Sequence, residues 1–204
     1  MLDPSSLLLC AITDDARDGV EELVARAAEA VAGGATMVQL RLKDVPARQL
    51  FEAARALVER LPVPVIVNDR VDVALASGAA GVHVGAEDVP ASAIRPFVAP
   101  GFVIGASVTG AHDLPDLAGA DYAGIGPVFP TSSKPDAAPA MGLATFAELA
   151  ARAGIPSVAI GGVDETNAAA VVGAGASGIA VIRAVFGSDD PRAAARALRR
   201  AIGR

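Results

Sequence analysis

Eight short apolar runs alternate with alanine-rich amphipathic segments along the chain, and this alternation constrains the fold more than any other feature. The runs predict buried strands at residues 7–12, 37–42, 63–67, 81–84, 102–106, 122–125, 157–160 and 179–182. The segments that follow them predict helices near residues 19–32, 46–60, 71–77, 90–98, 112–118, 144–153, 165–173 and 190–202. Eight strand–helix pairs of roughly 25 residues each are typical of a small closed (β/α)8 barrel.

An internal repeat supports this count. A Gly-Ala pair closes every second helix and precedes an even-numbered strand, and glycine at such a helix end can adopt φ > 0. The pairs are Gly34-Ala35, Gly78-Ala79, Gly119-Ala120 and Gly175-Ala176. Proline or glycine precedes strands 3, 5 and 7 instead, so a βαβα unit is repeated four times. We predict an α/β fold, a single-domain (β/α)8 barrel over residues 1–204. A doubly wound open sheet is disfavoured because no G-x-G-x-x-G follows the first strand.

Composition excludes several classes of function. Hydrophobic residues make up 52% of the chain and charged residues 20%, which indicates an ordered globular protein. The net charge of −6 provides no basic surface for nucleic acid. The single cysteine, Cys10, cannot form an internal disulfide. No positively charged leader precedes Leu7 and no apolar run reaches membrane-spanning length, so we expect a cytoplasmic protein without membrane contact. The sequence leaves a homo-oligomer open.

In barrels of this type, functional residues follow the carboxyl ends of the strands. At the end of the second strand, alternation places Gln39, Arg41 and Lys43 on one face. An amide and two cations in the mouth of a barrel would be costly unless they met an anion or carboxylates. A solvated strand tip is the alternative.

Two carboxylates, Asp69 and Asp88, follow the third and fourth strands. Magnesium prefers few protein carboxylates together with waters and phosphate oxygens, so the pair predicts a Mg²⁺ site. Asp88 could instead cap the helix that follows it, and Asp69 could pair with Arg70 or Arg41.

The stretch from Gly124 to Leu143 carries four prolines, which exclude a helix there, and a long loop in a compact domain is usually functional. Within it, residues 131–134 provide three hydroxyls and one lysine, a set suited to phosphate or pyrophosphate. A solvated connector is the alternative. The pair Gly161-Gly162 after the seventh strand, with Arg183 after the eighth, predicts a second phosphate site. Two anion sites predict two phosphorylated small-molecule substrates.

Two further polar residues are harder to assign. His83 should point inward near the top of the fourth strand, where a lone histidine is more often a hydrogen-bonded core residue than a catalyst. Ser107 could contact a ligand, but no histidine and carboxylate accompany it to make a nucleophile.

Taken together, five motifs resemble those of the thiamine phosphate synthase family in their order and spacing. They are Gln39-x-Arg41-x-Lys43, Val67-Asn68-Asp69, His83-x-Gly85-x-x-Asp88, Gly126-Pro127-x-x-Pro130-Thr131-x-Ser133-Lys134 and Ile160-Gly161-Gly162. The resemblance implies a (β/α)8 transferase of thiamine biosynthesis that joins hydroxymethylpyrimidine pyrophosphate to a thiazole phosphate. In the family, the pyrophosphate leaves to give a pyrimidine-stabilised cation, which the thiazole nitrogen captures.

The resemblance also implies a role for each matching residue. Asp69 and Asp88 would hold Mg²⁺. Arg41, Lys43 and Asn68 would bind the pyrophosphate, Lys134 would neutralise its charge, and Gln39 and Ser107 would contact the pyrimidine. The thiazole phosphate would contact Thr131, Ser133, Gly161, Gly162 and the loop after the eighth strand with Val181, Ile182 and Arg183. Catalytic roles fall on Arg41, Lys43, Lys134 and Ser107.

Three positions depart from the family pattern. Ala86 stands where glutamine is common, Thr109 where histidine is usual, and Ser133 where threonine is more usual. Thiazole tautomerases, which resemble the synthases, use a histidine at the place of Thr109 as an acid/base. A tautomerase is one alternative, but this chain lacks that histidine and has the Gln-x-Arg-x-Lys and paired-aspartate motifs, so the synthase is favoured. A non-catalytic thiazole or thiamine phosphate-binding relative and a phosphosugar epimerase or isomerase on the same fold are the others.

Overall fold

Eight parallel strands close into a barrel in chain order in the computed structural model, which describes residues 3–14, 19–131 and 138–203. The strands are β1 Leu9–Ile12, β2 Met37–Leu40, β3 Val65–Asn68, β4 Gly81–Val84, β5 Val103–Val108, β6 Tyr122–Ile125, β7 Ser157–Ile160 and β8 Gly178–Val181. Pairing of β8 with β1, in which Leu9 lies opposite Ile179, completes the closure. The predicted (β/α)8 barrel is confirmed.

The helices lie between the strands and after the last one. They are α1 Val20–Gly33, α2 Ala47–Arg60, α3 Val71–Ser77, α4 Ala91–Ile94, α5 Gly142–Ala153, α6 Ala168–Gly173, α7 Arg183–Phe186 and α8 Pro191–Ala201. Short 3-10 helices cover Pro4–Leu7, Arg95–Phe97 and Ala111–Leu117. The first of these delays the start of β1 to Leu9, two residues beyond the predicted position.

Local sequence explains where the helices begin and end. Asp190 caps α8 by accepting a hydrogen bond of 2.8 Å from the Ala193 amide, and Pro191 fits the first turn because it lacks an N–H. The glycines of the four Gly-Ala pairs all take positive φ, as the sequence predicts. Their φ angles are 116° at Gly34, 74° at Gly78, 86° at Gly119 and 103° at Gly175.

One predicted α-helix is wrong in type. Residues Ala111–Leu117 form a 3-10 helix with Pro115 inside it. Proline has no N–H to donate and its ring clashes with the preceding turn, so a regular α-helix does not form over this segment. The predicted helix at 90–98 is likewise divided into α4 and the 3-10 helix Arg95–Phe97, which contains Pro96.

Alternation along the strands produces two apolar layers. Cys10 and Ile12 point into the barrel together with Met37, Ile66 and Tyr122. Residues such as Leu9, Ala11 and Val38 point outward and pack with the helices. A cavity lies at the carboxyl ends of the strands, next to this inner layer, and it holds the candidate site. None of the helices over the described residues is long and apolar enough to cross a membrane.

Candidate active site

A cavity of about 1010 Å³ lies where the strands end, and it is lined by residues that follow seven of the eight strands. The predicted site residues that line it are Gln39, Arg41, Lys43, Asn68, Asp69, Asp88, Ser107, Thr131, Gly161, Gly162, Val181, Ile182 and Arg183. The two other predicted residues, Ser133 and Lys134, lie outside the described residues. Inner-layer residues Cys10, Tyr122 and Val158 line the same cavity and form its apolar interior.

Arg41 is the most unusual side chain of this cavity. The residue is only 5% exposed, yet its guanidinium makes no hydrogen bond or ion pair with any residue in the described ranges. Its backbone is held by Thr13, whose hydroxyl accepts a bond of 2.8 Å from the Arg41 amide and donates one of 3.1 Å to the Arg41 carbonyl. None of its guanidinium nitrogens is cut off from solvent, because Arg41 lines the cavity, so the hydrogens that it leaves unpaired among the described residues can bind an anionic ligand there.

Gln39 and Asn68 meet across β2 and β3. The Gln39 Nε2 donates a hydrogen bond of 2.8 Å to the Asn68 Oδ1. Lys43, which follows β2 on the same side of the chain, is exposed at the rim. The rim therefore presents an ammonium group close in sequence to the buried guanidinium of Arg41.

The two candidate metal ligands are both carboxylates at the ends of neighbouring strands. Asp88 accepts a bond of 2.7 Å from the Gly85 amide through Oδ2, and it does not cap α4. Asp69 has a φ of 63°, a left-handed conformation that is uncommon outside glycine. Arg70 pairs with Asp72 rather than with Asp69.

Within the described part of the chain, no group of three or more His, Cys, Asp or Glu side chains could hold a metal ion by itself. The two candidate ligands, Asp69 and Asp88, provide oxygen atoms and no nitrogen or sulfur. Such a set fits Mg²⁺, which keeps several waters and takes phosphate oxygens from a substrate. It does not resemble a structural zinc site.

Gly161 and Gly162 have a role that the sequence did not reveal. They take φ angles of 90° and 65°, and a Cβ at either one would collide with the loop that follows β6. At Gly162 it would lie 2.5 Å from the Pro130 carbonyl oxygen, and at Gly161 2.4 Å from the Pro127 Cβ. The amide of Phe129 also donates a bond of 3.0 Å to the Gly161 carbonyl. The glycine pair therefore brings the loops after β6 and β7 into direct contact at one side of the cavity.

A small network holds the turn around Gly162. The Asn167 Nδ2 donates to the Gly162 carbonyl at 2.9 Å, while its Oδ1 accepts from the Asp164 amide at 3.0 Å. Asp164 in turn accepts from the hydroxyl and the amide of Thr166, and these bonds lower the pKa of its carboxyl. The amide of Gly162 finds no acceptor among the residues that the structure describes, so it is available to a ligand.

Thr109, which stands where the resemblance leads one to expect histidine, is already engaged. Its hydroxyl and its amide donate bonds of 2.8 Å and 2.6 Å to Oδ2 of Asp113, a residue that is 4% exposed. A hydroxyl held by a carboxylate in this way has no proton-transfer function at neutral pH. Ala86, the other departure, lies exposed at the rim and adds only a methyl group.

Sequence reasoning gave no role to a three-residue chain inside the barrel. His83 Nδ1 lies 3.0 Å from the Tyr122 hydroxyl, and His83 Nε2 lies 3.0 Å from Ser107 Oγ. His83, which the sequence left unassigned, is a hydrogen-bonded residue on the inward face of β4. The signal that could have revealed its partners is the spacing Gly105-x-Ser107 and Tyr122-x-Gly124, which puts small and polar residues on the inward face of adjacent strands.

Comparison with known proteins agrees with this geometry. The family model described as thiamine monophosphate synthase matches residues 9–185. This chain belongs to that family. The chain is 47% identical to the thiamine-phosphate synthase of Roseiflexus castenholzii over 192 residues, which cover 92% of this chain and 84% of that protein. It is 50% identical to the thiamine-phosphate synthase of Methanoculleus marisnigri, over 83% of each chain.

Among solved structures, the family member from Pyrococcus furiosus, named thiamine phosphate pyrophosphorylase, superposes with a TM-score of 0.85. The identity is 38%, and the match covers 98% of this chain and 97% of that one. Family membership confirms the predicted resemblance and the prediction of a transferase of thiamine biosynthesis. The alternatives of a tautomerase, a non-catalytic relative and a phosphosugar enzyme are not favoured. The roles of the individual site residues stay predictions.

Proposed function

We propose that this chain joins hydroxymethylpyrimidine pyrophosphate to a thiazole phosphate and releases pyrophosphate. The observation that carries the proposal is Arg41, a residue 5% exposed that lines the cavity and whose guanidinium has no partner among the described residues. An anion bound beside Arg41 would form an ion pair with the guanidinium. A leaving pyrophosphate is such an anion, and its negative charge increases as its bond to the pyrimidine substrate breaks.

The remaining residues support two ligand regions in one cavity. The pyrophosphate would be bound by Arg41 and Lys43, which follow β2, and by Asn68, the last residue of β3. Gln39 and Ser107, deeper in the barrel, suit the pyrimidine. On the opposite side, Thr131, Gly161, Gly162, Val181, Ile182 and Arg183 suit the thiazole phosphate, with Ser133 and Lys134 as further contacts that the sequence predicts. The amide of Gly162, which donates to no residue that the structure describes, can donate a hydrogen bond to a phosphate oxygen.

Positioning and charge neutralisation suffice for this reaction. A bond that breaks to leave a pyrimidine-stabilised cation and a pyrophosphate needs no nucleophile from the protein, and the cavity offers no serine, histidine and carboxylate triad within the described residues. The apolar side chains of Cys10, Tyr122 and Val158 would limit the access of water to a reactive cation in the cavity. The engaged hydroxyl of Thr109 disfavours a tautomerase that depends on an acid/base at that place.

Mg²⁺ is proposed to bind at Asp69 and Asp88. When bound there, Mg²⁺ would neutralise charge on the pyrophosphate oxygens. The protein would contribute the carboxylates of Asp69 and Asp88, which both line the cavity, and the hydrogen bond from the Gly85 amide uses only Oδ2 of Asp88. The cytoplasmic location and a homo-oligomer stay predictions of the sequence.

Pyrophosphate release in the presence of both substrates, with and without Mg²⁺, tests the proposal. Release should require both substrates and the metal, and Arg41→Met should reduce kcat/KM by about 10²-fold or more because it removes charge stabilisation of the leaving group. Arg48→Met, the same change at an exposed residue of α2, is the matched control and should keep wild-type turnover. Release without the thiazole phosphate would indicate a hydrolase and would overturn the proposal.

A further inference from the structure

Three inward-facing side chains on adjacent strands form a continuous hydrogen-bonded chain in the wall of the cavity. Tyr122 on β6, His83 on β4 and Ser107 on β5 are joined by contacts of 3.0 Å at Nδ1 and 3.0 Å at Nε2 of the imidazole. Tyr122 is 1% exposed, whereas Ser107 lines the cavity and is partly exposed. The imidazole thus connects a fully buried hydroxyl with one that a ligand can reach.

The strands are built to accommodate this ring. In the barrel register, His83 lies opposite Gly105, Gly105 opposite Tyr122, and Ser107 opposite Gly124. A Cβ at Gly105 would lie 2.5 Å from His83 Nδ1, and one at Gly124 would lie 2.9 Å from His83 Cε1. Neither glycine has a positive φ, so backbone conformation does not require glycine at these positions. Glycine is required because a larger residue would occupy the space of the imidazole.

Tyr122 determines how the imidazole is protonated. Burial raises the pKa of the Tyr122 phenol well above its ordinary value, so the hydroxyl keeps its hydrogen at neutral pH. Buried donors are nearly always paired, and among the described residues the hydrogen-bond partner of this hydroxyl is His83. Nδ1 must therefore accept from Tyr122. A hydrogen on Nδ1, in the other neutral tautomer or in the charged imidazolium, would leave the phenol hydrogen unpaired.

We propose that Tyr122 fixes His83 in the tautomer with its hydrogen on Nε2, so that His83 donates to Ser107 and Ser107 keeps its own hydroxyl hydrogen for a ligand. A serine hydroxyl has one hydrogen and two lone pairs. In the opposite tautomer, Ser107 would give its hydrogen to the imidazole and present only lone pairs to the cavity. His83 and Tyr122 are positioning residues, since both act through Ser107.

The consequence for recognition rests on the proposed function. A heteroaromatic substrate carries ring nitrogens that accept hydrogen bonds, and Ser107 would donate to one such acceptor at the pyrimidine end. A site built to donate a hydrogen bond discriminates against an analogue that lacks the acceptor. The tautomer itself belongs to the free protein and does not depend on the substrate.

The first experiment measures the tautomer directly. The chain has two histidines, so long-range ¹H–¹⁵N correlation spectra of the ¹⁵N-histidine-labelled protein contain two imidazole patterns. His112→Gln, a change at an exposed side chain, assigns the His83 pattern. We expect hydrogen on Nε2 alone in the wild type and a mixture of tautomers in Tyr122→Phe, which keeps the ring packing. Hydrogen on Nδ1 in the wild type would overturn the proposal whether or not the protein is active.

The second experiment measures the effect on the ligand. Tyr122→Phe should raise KM for the pyrimidine pyrophosphate by about 3- to 10-fold and leave KM for the thiazole phosphate near its wild-type value. In a Ser107→Ala background the same change should have no further effect, because both variants act through one hydroxyl. Additive effects, or equal effects on both substrates, would overturn the role of Ser107 as the linked donor. Wild-type protein that shows the expected tautomer but releases no pyrophosphate would instead contradict the proposed function.

Discussion

The side-chain amides of Gln39 and Asn68 are joined end to end: Gln39 Nε2 donates to Asn68 Oδ1 at 2.8 Å across neighbouring strands of the barrel. This bond occupies the oxygen of Asn68 and leaves its NH₂ group available to donate. Asn68 therefore presents hydrogens to the cavity, which suits an anion better than lone pairs would.

Asn68→Asp tests this orientation. The aspartate keeps an oxygen for the bond from Gln39, but it places a negative charge where the pyrophosphate is proposed to bind. We expect kcat/KM for the pyrimidine substrate to fall by about 10²-fold or more, with a Tm close to that of the wild type. Steady-state kinetics and thermal unfolding measure the two effects. Unchanged kinetics would place the pyrophosphate elsewhere.

Arg41→Met should separate stability from function. Replacing Arg41 with an apolar side chain of similar length breaks no side-chain bond to any residue that the structure describes, so the Tm of the free protein should stay close to that of the wild type. Adding inorganic pyrophosphate and Mg²⁺ should raise the Tm of the wild type but not of the variant. Differential scanning calorimetry checks both expectations. A large loss of stability in the free variant would mean that Arg41 has a structural partner.

Asp69 combines charge with an unusual backbone conformation, and two variants distinguish these properties. Asparagine tolerates the φ of 63°, so Asp69→Asn should fold normally and lose about 10²-fold or more in kcat together with its response to Mg²⁺. Asp69→Ala should lose the same activity and, in addition, about 1 kcal/mol of unfolding free energy. Kinetics over a range of Mg²⁺ concentrations and urea unfolding provide the measurements. Wild-type activity in Asp69→Asn would exclude a role in binding the metal.

Gly162→Ala should damage the site more than backbone strain alone explains. Gly154 has a similar φ of 69° with open space around its Cβ position, so Gly154→Ala should cost about 1 kcal/mol and leave the kinetics unchanged. At Gly162 the new methyl group would also displace Pro130 and Phe129. We expect a lower Tm than in the control and a KM for the thiazole phosphate that is raised about 10-fold or more. Equal behaviour of the two variants would contradict the contact between the loops after β6 and β7.

Cys10 gives a pH dependence with a definite sign. Burial raises the pKa of its thiol from an ordinary 9.0 to about 12, so between these values the unfolded chain loses a proton that the folded protein keeps. The stabilisation is complete below pH 9 and is lost as the pH rises toward 12, by at most about 1.4 kcal/mol per pH unit. Denaturant unfolding of the wild type and of Cys10→Ala, compared at mildly and strongly alkaline pH, isolates this contribution. Parallel pH profiles would show that the thiol ionises in the folded state.

Much of the site was predictable from the βαβα repeat and from the location of functional residues at the carboxyl ends of barrel strands. The alternation of side chains along β2 continues beyond its last residue, so Gln39, Arg41 and Lys43 all line the cavity. The predicted helix at residues 112–118 is present but is a 3-10 helix, because Pro115 changes the hydrogen-bonding pattern of the segment. The prediction for Gly161 and Gly162 was incomplete, because the sequence does not show that the loop after β6 packs against them.

Periodicity and turn residues by themselves determine the number of strand–helix units, the closure of the barrel and the end of the barrel at which polar residues collect, since these follow from short-range patterns. Only the tertiary structure decided that Arg41 is buried with no side-chain partner in the part of the chain that the structure describes, that Thr109 is held by Asp113, and that Tyr122 reaches Ser107 through His83. Each of these depends on side chains that belong to different segments and meet within hydrogen-bond distance. Their free energies come from burial and pairing, which exist only after the barrel has closed.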